Sequence, residues 1–299
     1  MNKRFLKITL VVALALSMSF GVAGKVQAQE SPGLKVFVGI LPQGYFVKRI
    51  GGSNVSVNVL VGPGQSPATF QVTPKQMAEL AQADVLFITG MPFENRLISK
   101  INRSFKGLTI VDLRKDIELR GFQDHDHGYD GHEGISDPHI WLDPKLAPMQ
   151  AKTICDKLAG LDRSHATEFR INLREFQKEL RRVDRKIASK LAPYRGRLIM
   201  VFHPAYGYFL NSYGLTQEAV EFNGKNPGPK QLARWIEKVR ARDVKVVFVQ
   251  PQFSKREAQT IAESVGAVVV PLDPLAPDYI SNLEKMADVI VEGFQERGE

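Results

Sequence analysis

The chain has 299 residues, and its 40 Lys and Arg outnumber its 32 Asp and Glu, which makes the formal net charge +8 at neutral pH. Its single cysteine, Cys155, excludes an internal disulfide framework. Beyond the amino terminus, no apolar stretch approaches the roughly 20 residues that a membrane-spanning helix needs. The composition predicts a water-soluble globular protein.

The amino terminus has the pattern of a secretory signal peptide. Three cations in the first seven residues precede an apolar run at 8–20, and a small-residue segment ends at Ala28. We predict cleavage after Ala28 and release into the periplasm, with no cysteine at the cleavage site to carry a lipid. Cleavage removes four cations and no acid, so the net charge falls from +8 to +4. The basic composition therefore gives little support for a nucleic-acid partner, and we expect none.

Short apolar runs alternate with helical patterns in the first half of the mature chain. The runs lie at 34–41, 55–61, 84–89 and 108–112. Such alternation is typical of βαβ units with a parallel sheet. About 270 residues remain after cleavage, which is more than one hydrophobic core usually organises. We therefore predict two lobes, the first at residues 29–163.

One long amphipathic helix is predicted next. Its apolar residues recur in steps of four and three and end before Pro193: Phe169, Leu173, Phe176, Leu180, Val183, Ile187 and Leu191. A helix over 164–191 would be on the order of 40 Å long, so residues 164–193 are predicted to join the lobes rigidly. Its outer face mixes cations with acids, which indicates a solvated, ion-paired surface and not a nucleic-acid stripe.

The second half repeats the plan of the first. Apolar runs at 198–202, 245–250 and 267–272 are separated by helical stretches near 229–241 and 254–265. The predicted fold class is α/β, with two lobes that each have a mainly parallel sheet flanked by helices, joined by one long rigid helix. We predict a second lobe at 194–299 and a monomeric protein.

Three potential metal ligands lie in predicted loops. His203 and Asp273 each follow a strand, and His139 lies in a proline-stiffened loop before a helix. Binding sites of α/β proteins lie in loops at the carboxyl ends of strands, and Zn²⁺ accepts imidazole nitrogen together with carboxylate oxygen. Each residue also has a structural explanation, hydrogen bonding for a loop histidine and a turn for Asp before Pro. Their spacing does not show that they converge.

A low-complexity segment at 124–134 alternates His with Asp and Gly. Such a composition cannot build a core. His125, His127 and His132 are auxiliary candidates for low-affinity metal capture, and a solvated insert without a specific role is the alternative.

Four segments together resemble the zinc and manganese solute-binding proteins of ABC importers: DPHIWLDP at 137–144, FHPAYGYF at 202–209, FVQPQFS at 248–254 and LDPL at 272–275. The resemblance runs from about residue 34 to 294. It implies two α/β lobes joined by a long helix, a metal ion between them, and a membrane permease as partner. It also implies that His139, His203 and Asp273 are the second, third and fourth ligands. A histidine at the third position resembles zinc-type members, so zinc is favoured over manganese.

The chain departs from this family pattern at the first ligand. Where the family reads Ser-Pro-His, this chain reads Ser66-Pro67-Ala68, and Ala68 has no donor atom. Gln65 and Gln71 flank the position, but neutral amides are poor zinc ligands. We consider three outcomes in order of preference: a water completes the tetrahedron, a histidine of the 124–134 segment does so, or metal binding is weak or lost.

Two other function classes fit the same residues. Two histidines, one carboxylate and an open fourth position also describe a catalytic zinc. A zinc-dependent hydrolase needs a general base, for which Glu94 and Glu221 are the candidates. A metal-storage or interaction module that has lost transport is the other class. We predict a binding protein and not an enzyme.

Overall fold

The computed structural model describes residues 33–121, 136–221, 228, 233, 235–237, 240 and 244–295. Three predicted features lie outside the described residues: the signal peptide at 1–28, the histidines of the 124–134 segment, and most of the helix near 229–241. In the part of the chain that is described, no helix has both the length and the apolar character needed to cross a membrane.

The first lobe is built on a four-stranded sheet in the order β2-β1-β3-β4. Its strands are β1 (Leu34–Val38), β2 (Val55–Val59), β3 (Val85–Ile88) and β4 (Thr109–Asp112), and all their pairings are parallel. The helices that accompany them are α1 (Leu41–Gly51), α2 (Pro74–Leu80) and α3 (Pro92–Ser104). Every residue of β3 is buried, as expected of a strand covered on both faces. The four apolar runs of the first half thus form the predicted strands.

Two helices lead from the first sheet to the second. They are α4 (Ala147–Leu161) and α5 (Ala166–Leu191), which pack against each other and against α1. The 26 residues of α5 span about 39 Å. The steps of four and three predicted its inner face correctly, because six of these seven residues are fully buried: Phe169, Phe176, Leu180, Val183, Ile187 and Leu191.

The second lobe repeats the strand arrangement of the first, in the order β6-β5-β7-β8. Its strands are β5 (Leu198–Val201), β6 (Thr216–Ala219), β7 (Val246–Val249) and β8 (Val268–Pro271), and all are parallel. Its helices include α6 (Gly207–Ser212), α7 (Lys255–Ser264) and α8 (Tyr279–Gln295), and α8 packs along α5. The predicted fold class is confirmed. The edge strand β6 was not predicted, because its sequence TQEA contains no apolar run.

Aromatic contacts anchor α5 to the first lobe. The ring of Phe176 lies 5.3 Å from that of Phe46 and 5.9 Å from that of Tyr45, measured between centroids. The Arg49 guanidinium lies 5.5 Å from the Phe176 ring and donates two 2.7 Å hydrogen bonds to the Glu179 carboxylate. Phe176 is therefore the centre of the contact between α1 and α5.

We expect Phe176→Ala to lower the free energy of unfolding by about 3 to 5 kcal/mol, because a buried aromatic ring is replaced by a cavity. Ile171→Ala on the same helix is the matched control, since Ile171 is 45% exposed, and should change stability by less than about 0.5 kcal/mol. Urea denaturation of both variants measures the difference. Equal effects would mean that this contact does not organise the helix.

Candidate metal centre

His139 lies in the loop before α4, and its ring is held by the neighbouring Asp137. The Asp137 carboxylate accepts a hydrogen bond from the His139 backbone N–H at 3.0 Å and lies 2.6 Å from its Nδ1. Both residues are buried. When Nδ1–H donates to the carboxylate, the lone pair of the neutral imidazole is on Nε2. The local Asp-Pro-His sequence thus sets the tautomer that a metal ligand needs.

His203 follows β5 and is held in the same way by a carboxylate from the adjacent strand. The Glu221 backbone N–H donates to Phe202 O at 2.8 Å, which extends the β5–β6 ladder and places Glu221 beside His203. Glu221 Oε2 lies 2.7 Å from His203 Nδ1. The Gln250 side chain bonds both backbone groups of His203, and the Phe253 ring stacks on the imidazole. The orientation of the His203 ring is therefore fixed on several sides.

The two imidazoles lie together, with ring centroids 5.3 Å apart and an interplanar angle of 71°. Two histidines that share one tetrahedral zinc through Zn–N bonds of 2.0 to 2.1 Å have centroids about 5 Å apart. Burial lowers the pKa of His139 below its ordinary value of 6.5, in spite of the Asp137 carboxylate beside it. His139 therefore stays neutral, as a metal ligand must, to a lower pH than an exposed histidine does.

Asp273 follows β8 in a loop that is rich in hydrogen bonds. Its Oδ1 accepts from Gln252 Nε2 and from the Leu275 backbone N–H, both at 2.9 Å. The oxygen left for a metal is Oδ2. No three His, Cys, Asp or Glu side chains within the described ranges are gathered closely enough to hold a metal ion. The structure thus brings His139 and His203 together, and the convergence of Asp273 on them stays a prediction.

Ala68 is half-buried in the segment that follows β2. The flanking Gln65 and Gln71 are exposed, and Gln65 Oε1 accepts the Gly62 backbone N–H at 2.8 Å, which uses this amide oxygen to close a turn. The absence of a first ligand rests on the family resemblance and stays a prediction. The auxiliary candidates His125, His127 and His132 lie outside the described residues.

Hydrogen bonds join the His139 loop to the second lobe, although this loop precedes α5 in the chain. The Tyr208 hydroxyl of α6 donates to Asp137 O at 3.1 Å, and Trp141 Nε1 donates to Pro274 O at 2.9 Å. Two further hydrogen bonds involve Ser212 at the end of α6. Its Oγ donates to Asp143 Oδ2 at 2.5 Å, and its backbone carbonyl accepts from Lys145 Nζ at 3.0 Å. The loop that contains His139 is therefore hydrogen-bonded to the lobe that contains His203.

The two candidates for a general base have structural partners. Glu94 is fully buried, and its Oε2 accepts the backbone N–H groups of Thr89, Gly90 and Met91 at 2.7 to 2.9 Å, which closes the turn before α3. Glu221 holds His203, as described above. Sequence reasoning missed the orienting roles of Asp137 and Glu221. Asp137 could have been found, because it lies two residues before His139, whereas Glu221 required the strand order.

Glu94 makes a testable contribution to the pH dependence of stability. Burial raises its pKa from 4.5 to about 7, although three backbone N–H groups lower it. Glu94 then binds more protons in the folded protein than in the unfolded chain between these values, so its own contribution to the free energy of unfolding is highest below pH 4.5 and falls as the pH rises to 7. Glu94→Gln removes this titration and should gain on the order of 3 kcal/mol relative to the parent between pH 5 and 8.

Guanidinium denaturation at about pH 5 and about pH 8 measures the effect of Glu94→Gln on the free energy of unfolding. Glu79→Gln, at an exposed site on α2, is the control and should follow the parent at each pH. Parallel pH profiles for Glu94→Gln and the parent would show that the Glu94 carboxylate titrates alike in the folded and unfolded chains.

Two parallel-sheet lobes joined by one long helix, with a pair of carboxylate-held histidines in loops, define a two-lobed solute-binding protein. The chain belongs to the family described as ZnuA, zinc-uptake complex component A, periplasmic, whose model matches residues 36–293. This is a family of solute-binding proteins and not of enzymes.

Individual relatives agree with this family. The chain is 26% identical over 303 residues to the high-affinity zinc uptake system protein ZnuA of Yersinia pestis, covering 93% of this chain and 92% of that protein. It is 26% identical over 311 residues to the zinc-binding lipoprotein AdcA of Streptococcus pneumoniae, covering 98% of this chain and 62% of that longer protein. A crystal structure of ZnuA superimposes with a TM-score of 0.79 and 33% identity, covering 87% of this chain and 98% of the other.

Proposed function

We propose that this protein is the periplasmic metal-binding subunit of an ABC importer, with zinc as the transported ion. The observation that carries the proposal is the pair of imidazoles, 5.3 Å apart, each with its Nδ1 against a buried carboxylate. A carboxylate partner fixes the tautomer and raises the basicity of a ligating histidine. The relatives of this protein include a zinc-binding lipoprotein and a zinc uptake system protein, which supports the same ion.

His139, His203 and Asp273 are the proposed protein ligands. Two nitrogen donors favour zinc over manganese, which prefers oxygen. A water takes the position opposite Ala68, and a histidine of the 124–134 segment is the alternative occupant. The negative charges of Asp137, Glu221 and Asp273 would attract a divalent cation to this edge of the sheet.

The remaining features complete the transport role. The signal peptide at 1–28 directs export, the lobes at 29–163 and 194–299 are joined by residues 164–193, and a monomer passes the ion to a membrane permease. The contacts of Glu94 and Glu221 favour binding over hydrolysis, because both carboxylates already have structural roles, Glu94 in the turn before α3 and Glu221 beside His203.

Removing either imidazole tests the proposed site. We expect His139→Ala and His203→Ala each to weaken zinc binding at least about tenfold, because each removes a nitrogen ligand. His165→Ala is the matched control, since His165 bonds Asp162 at the start of α5, and should bind zinc like the parent. Competition with a chromophoric chelator, on protein without an affinity tag, measures the affinities. If His139→Ala and His203→Ala bind zinc as tightly as the parent and the control do, this site is excluded.

The occupant of the first ligand position is tested at Ala68. Ala68→His should tighten zinc binding, because a fixed imidazole replaces a bound water while the other ligands stay in place. If a histidine of the 124–134 segment fills the position instead, deletion of these residues weakens the parent markedly and matters much less with His at 68. Calorimetric titration of four proteins distinguishes the cases: the parent, Ala68→His, the deletion, and the two changes combined. An Ala68→His protein that binds no tighter would show that position 68 is not the first ligand position.

A further inference from the structure

Trp141 links the His139 loop to the Asp273 loop. It lies two residues after His139, is fully buried, and places its ring 5.1 Å from the imidazole between centroids. Its indole N–H donates to Pro274 O at 2.9 Å, one residue beyond Asp273. Its own carbonyl accepts a hydrogen bond from the Tyr279 hydroxyl. One side chain thus contacts one proposed ligand and holds the backbone beside another.

The His203 loop reaches the same segment from the other side. The hydroxyl of Tyr206, three residues after His203, donates to Leu272 O at 2.5 Å, and Tyr206 is fully buried. Between these two bonds, Asn282 Nδ2 of α8 donates to Asp273 O at 2.7 Å. Three consecutive carbonyls, those of Leu272, Asp273 and Pro274, therefore each accept a hydrogen bond from a different part of the second lobe or of the His139 loop.

We propose that Trp141 and Tyr206 are positioning residues for metal binding, which set the Asp273 backbone against His139 and His203 respectively. The inference rests on the proposed function, because it assumes that these three residues bind the ion. Its physical basis is preorganisation: a loop that is already held in place does not have to be ordered when the ion binds. Without either bond, part of the binding free energy is spent on ordering the Asp273 loop.

The test uses substitutions that remove the hydrogen-bond donor and keep an aromatic ring. Trp141→Phe and Tyr206→Phe are each expected to weaken zinc binding roughly tenfold, the lower end of the range for groups that orient metal ligands. Trp235→Phe and Tyr213→Phe are the matched controls. Trp235 is buried, and its indole N–H has no partner among the described residues, whereas the Tyr213 hydroxyl bonds Asp184 on α5. Both controls should bind zinc like the parent, whatever stability they lose.

A double-mutant cycle with Asp273→Asn separates positioning from general destabilisation. If Trp141 and Tyr206 act by placing Asp273, the loss from Asp273→Asn should be smaller in either background than in the parent. Independent, additive losses would overturn the inference and leave the proposed function standing. If Asp273→Asn and His139→Ala do not weaken zinc binding by the parent, the proposed function itself fails, and the inference with it. Should Trp141→Phe not fold, Tyr206→Phe, which loses a single oxygen, decides the question.

Discussion

The apolar stripe of α5 carries the hydrophobic core from one sheet to the other. Phe176 packs on α1 of the first lobe, and the same cluster of buried residues continues through Leu283 of α8 to Phe248 of the second sheet. A shared core of this kind resists relative displacement, because any sliding would open voids in a close-packed interior. The positions of the loops at the strand ends, and with them the histidine pair, depend on this continuous packing.

The candidate site places negative charge in a region that is largely shielded from water. Burying the carboxylates of Asp137 and Glu221 would be costly without partners, and the Nδ1 atoms of the two histidines supply them. The same contacts direct each Nε2 lone pair away from its carboxylate. The arrangement therefore combines two imidazole nitrogens with nearby carboxylates, which suits a divalent cation better than a neutral ligand.

Hydrogen bonds, and not the order of the chain, attach the His139 loop to the second lobe. The His139 loop precedes α5, yet Tyr208 and Pro274 of the second lobe bond it directly. The His139 loop, which lies within residues 29–163, is thus hydrogen-bonded to the lobe that carries His203 and Asp273. Ala68, at the predicted first ligand position, lies in the segment that follows β2 of the first lobe.

The sequence by itself determined the elements whose signal is local. The spacing of apolar residues predicted α5, and the apolar runs predicted seven of the eight strands found among the described residues, because helix and strand periodicities follow from backbone geometry alone. The polar strand β6 has no such signal and forms because β5 offers it a free edge. Asp137 lies beside His139 in the chain, so that pair is encoded locally. The contacts of Glu221 with His203 and of Trp141 with Pro274 join distant segments, and only the strand order and the packing of α8 on α5 bring them together.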